Sequence, residues 1–211
     1  MKIDTIVLGS YQTNCYILRE NQQAKDCLII DPGLEPMPLL DFIKENQLNP
    51  IAIILTHGHA DHIAGIPALR QSYPEIKIYI HKLDAIMLTE AQHNLSILAD
   101  GPFATDPADF LIDEPYAIDL AGIKLEVFHT PGHTQGGICL YLRDEAILFS
   151  GDTLFADSVG RTDFPGGNMI QLISGIKEKL LVLPPETTIY TGHGPETTIA
   201  QEKAYNQYLR D

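Results

Sequence analysis

The sequence predicts an α/β fold in which two β-sheets pack face to face and helices cover both outer surfaces. Three observations point to it. Residues 3–80 and 116–149 each contain a run of short apolar or alternating segments that read as strands. Each run is accompanied by segments whose apolar residues recur at helical spacing. The 211 residues, 45% hydrophobic and 20% charged with no linker-like stretch, suit a single domain over 1–211 with a substantial core.

In chain order, residues 3–8, 14–18 and 27–30 predict a three-stranded meander that ends in the turn Asp31-Pro32-Gly33. Residues 38–45 space their apolar side chains for a helix with one buried face, and the apolar run 51–55 follows as a strand. A helix starting near Asp61 and continuing through 63–69 leads to an alternating strand at 76–80, closed by His81. Residues 82–115 read as a flap: helical fragments such as 84–90, then a polar loop through Asp100-Gly101-Pro102. The second half repeats the strand pattern at 116–120, 123–128, 138–142 and 146–149, with a hairpin turn at Arg143-Asp144-Glu145. Asn168 caps a helix from Met169 toward Leu183, where Pro184-Pro185 stops it. A last strand, 188–191, runs into Gly192-His193-Gly194, and Thr197 begins the final helix. Self-similarity between the halves is faint.

The densest chemistry lies in Thr56-His57-Gly58-His59-Ala60-Asp61-His62, directly after an apolar strand. His57 and His59 share one side of an extended backbone, so two imidazoles point the same way. Gly58 and Ala60 keep the intervening positions small. Asp61 and His62 fall at a helix start, whose partial positive charge favours an ionised carboxylate. One short loop cannot surround two cations, and three further candidates stand at strand ends beside glycines: His133 after Pro131-Gly132, Asp152 after Gly151, and His193 between Gly192 and Gly194.

Composition narrows the function classes. Fourteen basic against 28 acidic side chains give a formal charge of -14, with no basic run, which disfavours nucleic acid and anionic membrane surfaces as partners. Cys15, Cys27 and Cys139 are widely spaced and form neither a CxxC pair nor a secreted disulfide framework. The first residues lack a signal-peptide core, and no apolar run spans a bilayer, so the expected location is cytoplasmic.

On these residues the chain resembles the metallo-beta-lactamase superfamily: its His-x-His-x-Asp-His motif reads here as His57, His59, Asp61 and His62. The resemblance spans nearly the whole chain and implies a four-layer αββα sandwich. It implies one metal on His57, His59 and His133, a second on Asp61, His62 and His193, and Asp152 bridging them. The expected cofactors are two divalent ions, zinc by preference, with iron or manganese as alternatives. The stretch from Gly151-Asp152-Thr153 to Gly160-Arg161-Thr162-Asp163-Phe164-Pro165-Gly166-Gly167-Asn168 is similar to short bacterial glyoxalase II, a hydroxyacylglutathione hydrolase, without the C-terminal helical domain of the longer enzymes. That similarity implies a small-molecule thioester substrate such as S-lactoylglutathione, cleaved by a hydroxide shared between the metals, with Asp61 orienting it and Arg161 gripping a substrate carboxylate.

An aspartate rather than a cysteine at position 152 demotes an antibiotic-degrading role. Two rivals stand: a persulfide dioxygenase with one iron on His57, His133 and Asp152, and a non-catalytic metal-binding member. Asp31 and Thr134 are expected to hydrogen-bond metal ligands. His129 is expected to be a hydrogen-bonded buried residue, and His81 and His93 to serve the surface or the flap.

Overall fold

The computed structural model describes residues 1–98 and 101–210; Ala99 and Asp100, part of the expected flap loop, lie outside the described residues. Lys2–Leu8 (β1), Thr13–Arg19 (β2) and Asp26–Ile30 (β3) form the antiparallel meander, and Met37–Glu45 (α1) crosses over to Asn49–Ile54 (β4), which pairs parallel with β3. The expected helix near Asp61 is two short ones, Ala60–Ile63 (α2) and Ile66–Ser72 (α3), broken at Gly65. A Cβ at Gly65 would fall 1.9 Å from the carbonyl oxygen of Pro32, so the break sits where two backbones touch. Lys77–His81 (β5) follows. The expected flap is largely ordered into the fold: Ala85–Thr89 (α4) packs beside the site, and Phe110–Ile112 (β6) joins β5 in parallel as the sheet edge.

The second sheet begins with the antiparallel strands Tyr116–Leu120 (β7), Ile123–His129 (β8), Ile138–Leu142 (β9) and Ile147–Gly151 (β10). The turn at 143–145 is a 3-10 turn that ends with Ala146 in the left-handed region. A two-stranded hairpin, Leu154–Phe155 (β11) and Ser158–Val159 (β12), had no sequence signal. Met169–Gly175 (α5) is capped by Asn168 as expected, then widens into a π-helical turn at Ile176–Leu180. Thr188–Thr191 (β13) pairs parallel with β10. Thr197 opens a short strand, Thr197–Thr198 (β14), rather than the last helix, which is Ile199–Tyr205 (α6) capped by the Thr198 hydroxyl.

Both sheets have six strands, in the orders β1-β2-β3-β4-β5-β6 and β14-β13-β10-β9-β8-β7. Strand alternation divides the apolar residues into layers. Leu28, Ile30, Ala52 and Ile54 face Ile118, Leu125, Leu140 and Phe149 between the sheets. Ile29 and Ile53 face Leu39, Ile43, Ile63 and Leu69 of the helices outside the first sheet, and Tyr141, Leu148 and Ile189 face Leu172, Ile176 and Ile199 outside the second.

The halves are far more alike in space than in sequence. Each contains a three-stranded meander, a helical crossover and a parallel strand: β1-β2-β3-α1-β4 and β8-β9-β10-α5-β13. Asp31 follows β3 as Asp152 follows β10, and His57 follows β4 as His193 follows β13. The ends are tied reciprocally, Asn14 N–H donating to Gly192 O at 2.8 Å and Ile138 N–H to Thr56 O at 2.9 Å. Those ties bring the polar strand ends of both sheets to one place.

Candidate metal centre

All seven sequence-predicted ligands meet at this end of the sandwich. His57, His59 and His133 form one group whose ligand atoms lie within 4.8 Å of one another; Asp61, His62 and His193 form another. Asp152 lies between them, with Oδ2 3.6 Å from His133 Nε2 and 3.5 Å from His193 Nε2, and Oδ1 3.4 Å from His62 Nε2. Gly192 makes room for it, since a Cβ there would fall 2.1 Å from Asp152 Oδ1.

The outward hydrogen bonds of the imidazoles fix which nitrogen faces the centre. His62 Nδ1 donates to Asp31 Oδ2 at 2.8 Å, His133 Nδ1 to the Arg161 carbonyl at 2.7 Å, and His193 Nδ1 to the Tyr11 carbonyl at 3.0 Å. His57 Nδ1 donates to Thr56 Oγ1 at 3.1 Å, and that hydroxyl donates onward to Asp31 Oδ2 at 2.6 Å. Four rings therefore turn Nε2 inward, while His59 presents Nδ1, 2.9 Å from His133 Nε2. His62 Nε2 and His193 Nε2 lie 3.2 Å apart. Ligands around a tetrahedral ion with bonds of about 2.0–2.1 Å stand roughly 3.4 Å apart, so both spacings fit a shared cation after small adjustment. His57 Nε2 and Asp152 Oδ1 are buried without a hydrogen-bond partner, which fits a role for both as metal ligands. The ligand atoms of Asp31, His57 and His62 also lie within 4.8 Å of one another. Asp31 is already committed to Thr56 and His62, so it orients ligands rather than joining them.

Electrostatics differ between the two groups. Burial and the neighbouring imidazoles push His57 well below the usual histidine range, and burial with His133 beside it pushes His59 down to about 3. Burial also opposes charge on His62 and His193, but the carboxylates around them prevail: Asp61, Asp152 and Asp31 lift His62 to about 9, and Asp152 and Asp61 lift His193 to about 11. The same imidazoles outweigh burial at Asp61, held at about 2, and hold Asp152 lower still. A cation entering between His62 and His193 must therefore displace protons, whereas His57 and His59 are already neutral. Calorimetric zinc titration of metal-free protein in two buffers of different protonation enthalpy should show proton release at pH 7 chiefly in one binding step, with affinity in that step falling as pH drops below about 11 and more steeply below about 9. Two steps with the same pH dependence would contradict this division.

The flap segment buttresses the motif loop. Gly58 packs where a Cβ would meet Met87 Cβ at 2.5 Å, and Ala60 N–H donates to the Asn94 carbonyl at 2.8 Å. Buried Asp84, which sequence reading passed over, accepts from Gly58 N–H at 3.2 Å, Thr134 Oγ1 at 2.7 Å and Gly136 N–H at 2.6 Å. Burial raises its carboxyl pKa despite these donors. Thr134 therefore holds Asp84 rather than a ligand imidazole, which corrects the expectation for it. Because Asp84 joins the His57–His59 loop to the His133 loop, Asp84→Ala should lower metal affinity by about 10- to 100-fold, measured by competition with a chromophoric chelator.

The other histidines lie outside the centre. His81 is buried rather than superficial, stacked on His129 with ring centroids 4.0 Å apart, with Nε2 3.2 Å from Asp113 Oδ1. The strand β5 carries it inward between the sheet ends. His129 is half-buried and hydrogen-bonded through Nε2 to the Gln135 carbonyl at 2.9 Å. His93 is exposed beside Glu90.

The groups floor a cavity of about 810 Å³ whose walls include Leu34, Leu95, Phe155, Val159 and Phe164. Arg161 lines it too, but its guanidinium is engaged by Asp163, Nε to Oδ1 at 2.8 Å and Nη2 to Oδ2 at 2.7 Å. None of the three cysteines suits nucleophilic catalysis: all are buried, and burial pushes the Cys27 thiol up to about 12, Cys139 to about 11, and Cys15 well above its usual value.

A sequence profile described as the metallo-beta-lactamase superfamily matches residues 8–193. A probable metallo-hydrolase of Bacillus subtilis is 40% identical over 210 residues, covering 99% of this chain and 98% of that one. A hydroxyacylglutathione hydrolase of Haemophilus influenzae is 36% identical over 213 residues, covering 99% and 98%. Among solved structures, a B3 metallo-beta-lactamase superposes with a TM-score of 0.95 at 40% identity over 100% of both chains. A protein in a di-iron-bound form superposes with a TM-score of 0.82 at 35% identity, covering 98% and 100%. Among the described residues, no helix is long and apolar enough to cross a membrane.

Proposed function

We propose a function from one premise: the chain belongs to the metallo-beta-lactamase superfamily. Its paired ligand groups hold two divalent cations, His57, His59 and His133 taking one, Asp61, His62 and His193 the other, with Asp152 shared, and the site hydrolyses a small-molecule thioester. The observation that carries this reading is the convergence of two three-residue groups on one carboxylate whose buried Oδ1 has no protein partner.

Two cations supply a nucleophile at neutral pH and an acid for the carbonyl oxygen. The chain supplies the rest. Asp61 lines the cavity, stays ionised with its pKa at about 2, and takes a hydrogen bond from Thr13 Oγ1 at 3.3 Å, which leaves it able to orient the attacking water. The apolar walls desolvate the ester. A thiolate leaving group, with a pKa near roughly 8.5, departs without a proton donor, whereas an amine leaving group needs one. That difference, with the similarity to the Haemophilus enzyme, supports a thioester over an amide.

The B3 metallo-beta-lactamase neighbour keeps β-lactam hydrolysis as the second reading, because the cysteine argument that demoted it reaches one lactamase class only. Metal-loaded protein should cleave S-lactoylglutathione or another small thioester with kcat/KM well above that for nitrocefin and a carbapenem. Preferential β-lactam cleavage would replace the thioester reading, oxygen uptake on glutathione persulfide would replace it with the dioxygenase, and inertness toward all would leave a binding protein.

A further inference from the structure

The charged side chains that line the cavity, apart from the histidines, are Asp61, Asp152, Asp157 and Arg161. Arg161 is thus the one fixed cation on the walls among the described residues, and it is not presented to the cavity as a free charge. Asp163 takes two of its nitrogens in a parallel fork, at 2.8 and 2.7 Å. The guanidinium carbon also lies 3.9 Å from the centre of the Phe164 ring, which stands nearly perpendicular to the His59 ring with centroids 5.9 Å apart. Fork and ring together hold the guanidinium at the exposed rim of the wall, with its charge balanced. A substrate carboxylate has to displace a partner only two residues away along the chain, present at high effective concentration. The surrounding field opposes it further, since Asp157 shares the wall and the chain carries a formal charge of -14.

We propose that Asp163 is a specificity-determining residue: by holding Arg161 it neutralises that wall of the cavity, so that the preferred thioesters carry an uncharged thiol arm rather than the anionic one of glutathione. This rests on the thioester reading and narrows it. The apolar walls at Leu34, Phe155, Val159 and Phe164 suit such an arm.

The test compares S-lactoylglutathione with S-lactoyl-N-acetylcysteamine, which share an acyl group and differ in thiol charge, on the metal-loaded protein. The wild type should give the higher kcat/KM with the neutral thioester. Asp163→Asn should raise the glutathione-to-neutral ratio by about fivefold, through KM, and Arg161→Gln added to it should remove the gain. Calorimetric binding of S-methylglutathione, which is not cleaved, should tighten by the same factor in Asp163→Asn and return in the double variant. A wild-type preference for the glutathione thioester that Arg161→Gln abolishes would show that Arg161 already grips the carboxylate and overturn the proposal. So would a ratio unmoved by Asp163→Asn. If the wild type cleaves neither thioester, the reading of the function fails on its own, and the S-methylglutathione titration still decides whether Asp163 masks the cation.

Discussion

Asp152→Ala is expected to reduce thioester turnover by at least about 10²- to 10³-fold and to leave no more than one tightly held cation per chain. The carboxylate stands within 3.4–3.6 Å of His62, His133 and His193, so it is in contact with both ligand groups. Its loss should cost the metal-free fold some stability, because the carboxylate balances charge on His62 and His193. Asp152 Oδ1 accepts no hydrogen bond in the protein, so truncation strands no donor on that oxygen, and His62 and His193 can shed their protons once the carboxylate is gone. The variant should therefore purify folded, with a circular dichroism spectrum like that of the metal-free parent, while metal analysis and turnover both fall. Full activity would show the ligand assignment wrong.

Asp31→Ala should instead strike stability first. Asp31 is buried and accepts from Thr56 N–H at 2.8 Å, Thr56 Oγ1 at 2.6 Å and His62 Nδ1 at 2.8 Å, which fixes the loop that carries the motif. Truncation leaves three buried donors unpaired, and the residue sits at φ 51°, a left-handed conformation that alanine tolerates less well than aspartate. The expected loss is about 3–5 kcal/mol in denaturant unfolding of the metal-free protein. Asp31→Asn keeps the backbone preference and one acceptor and should lose less. In either variant His62 is no longer oriented, so affinity at the Asp61, His62 and His193 group should fall by about 10- to 100-fold in a zinc competition titration.

These two residues mark what the sequence reveals and what it hides. The candidate ligands were legible because they are local or glycine-flanked: His57, His59, Asp61 and His62 occupy six positions, and His133, Asp152 and His193 each follow a strand. Asp31 stood out at its Asp-Pro-Gly turn, and the two-sheet architecture followed from strand periodicity. The supports of the site were not legible, because each joins distant segments. Thr56 links His57 to Asp31 through one hydroxyl, a role indistinguishable in sequence from that of any strand-end threonine. Asp84 lies in the least patterned stretch and acts on residues 26 and 50–52 positions away. The internal repeat was faint because it survives in strand order and in the reciprocal ties of Asn14 and Ile138, which are backbone contacts with no side-chain signature. β6, β11, β12 and β14 are too short, at two or three residues, for alternation to register. The engagement of Arg161 by Asp163 was written in the sequence at a spacing of two, yet only the fold shows that it happens on the cavity wall.

The central claim is that the two groups act together on a thioester, and activity followed against metal equivalents tests it most directly. Zinc or manganese added stepwise to metal-free protein should raise thioester hydrolysis to a plateau at two equivalents per chain, with little activity at one. A plateau at a single equivalent of iron, accompanied by oxygen consumption on glutathione persulfide, would contradict it.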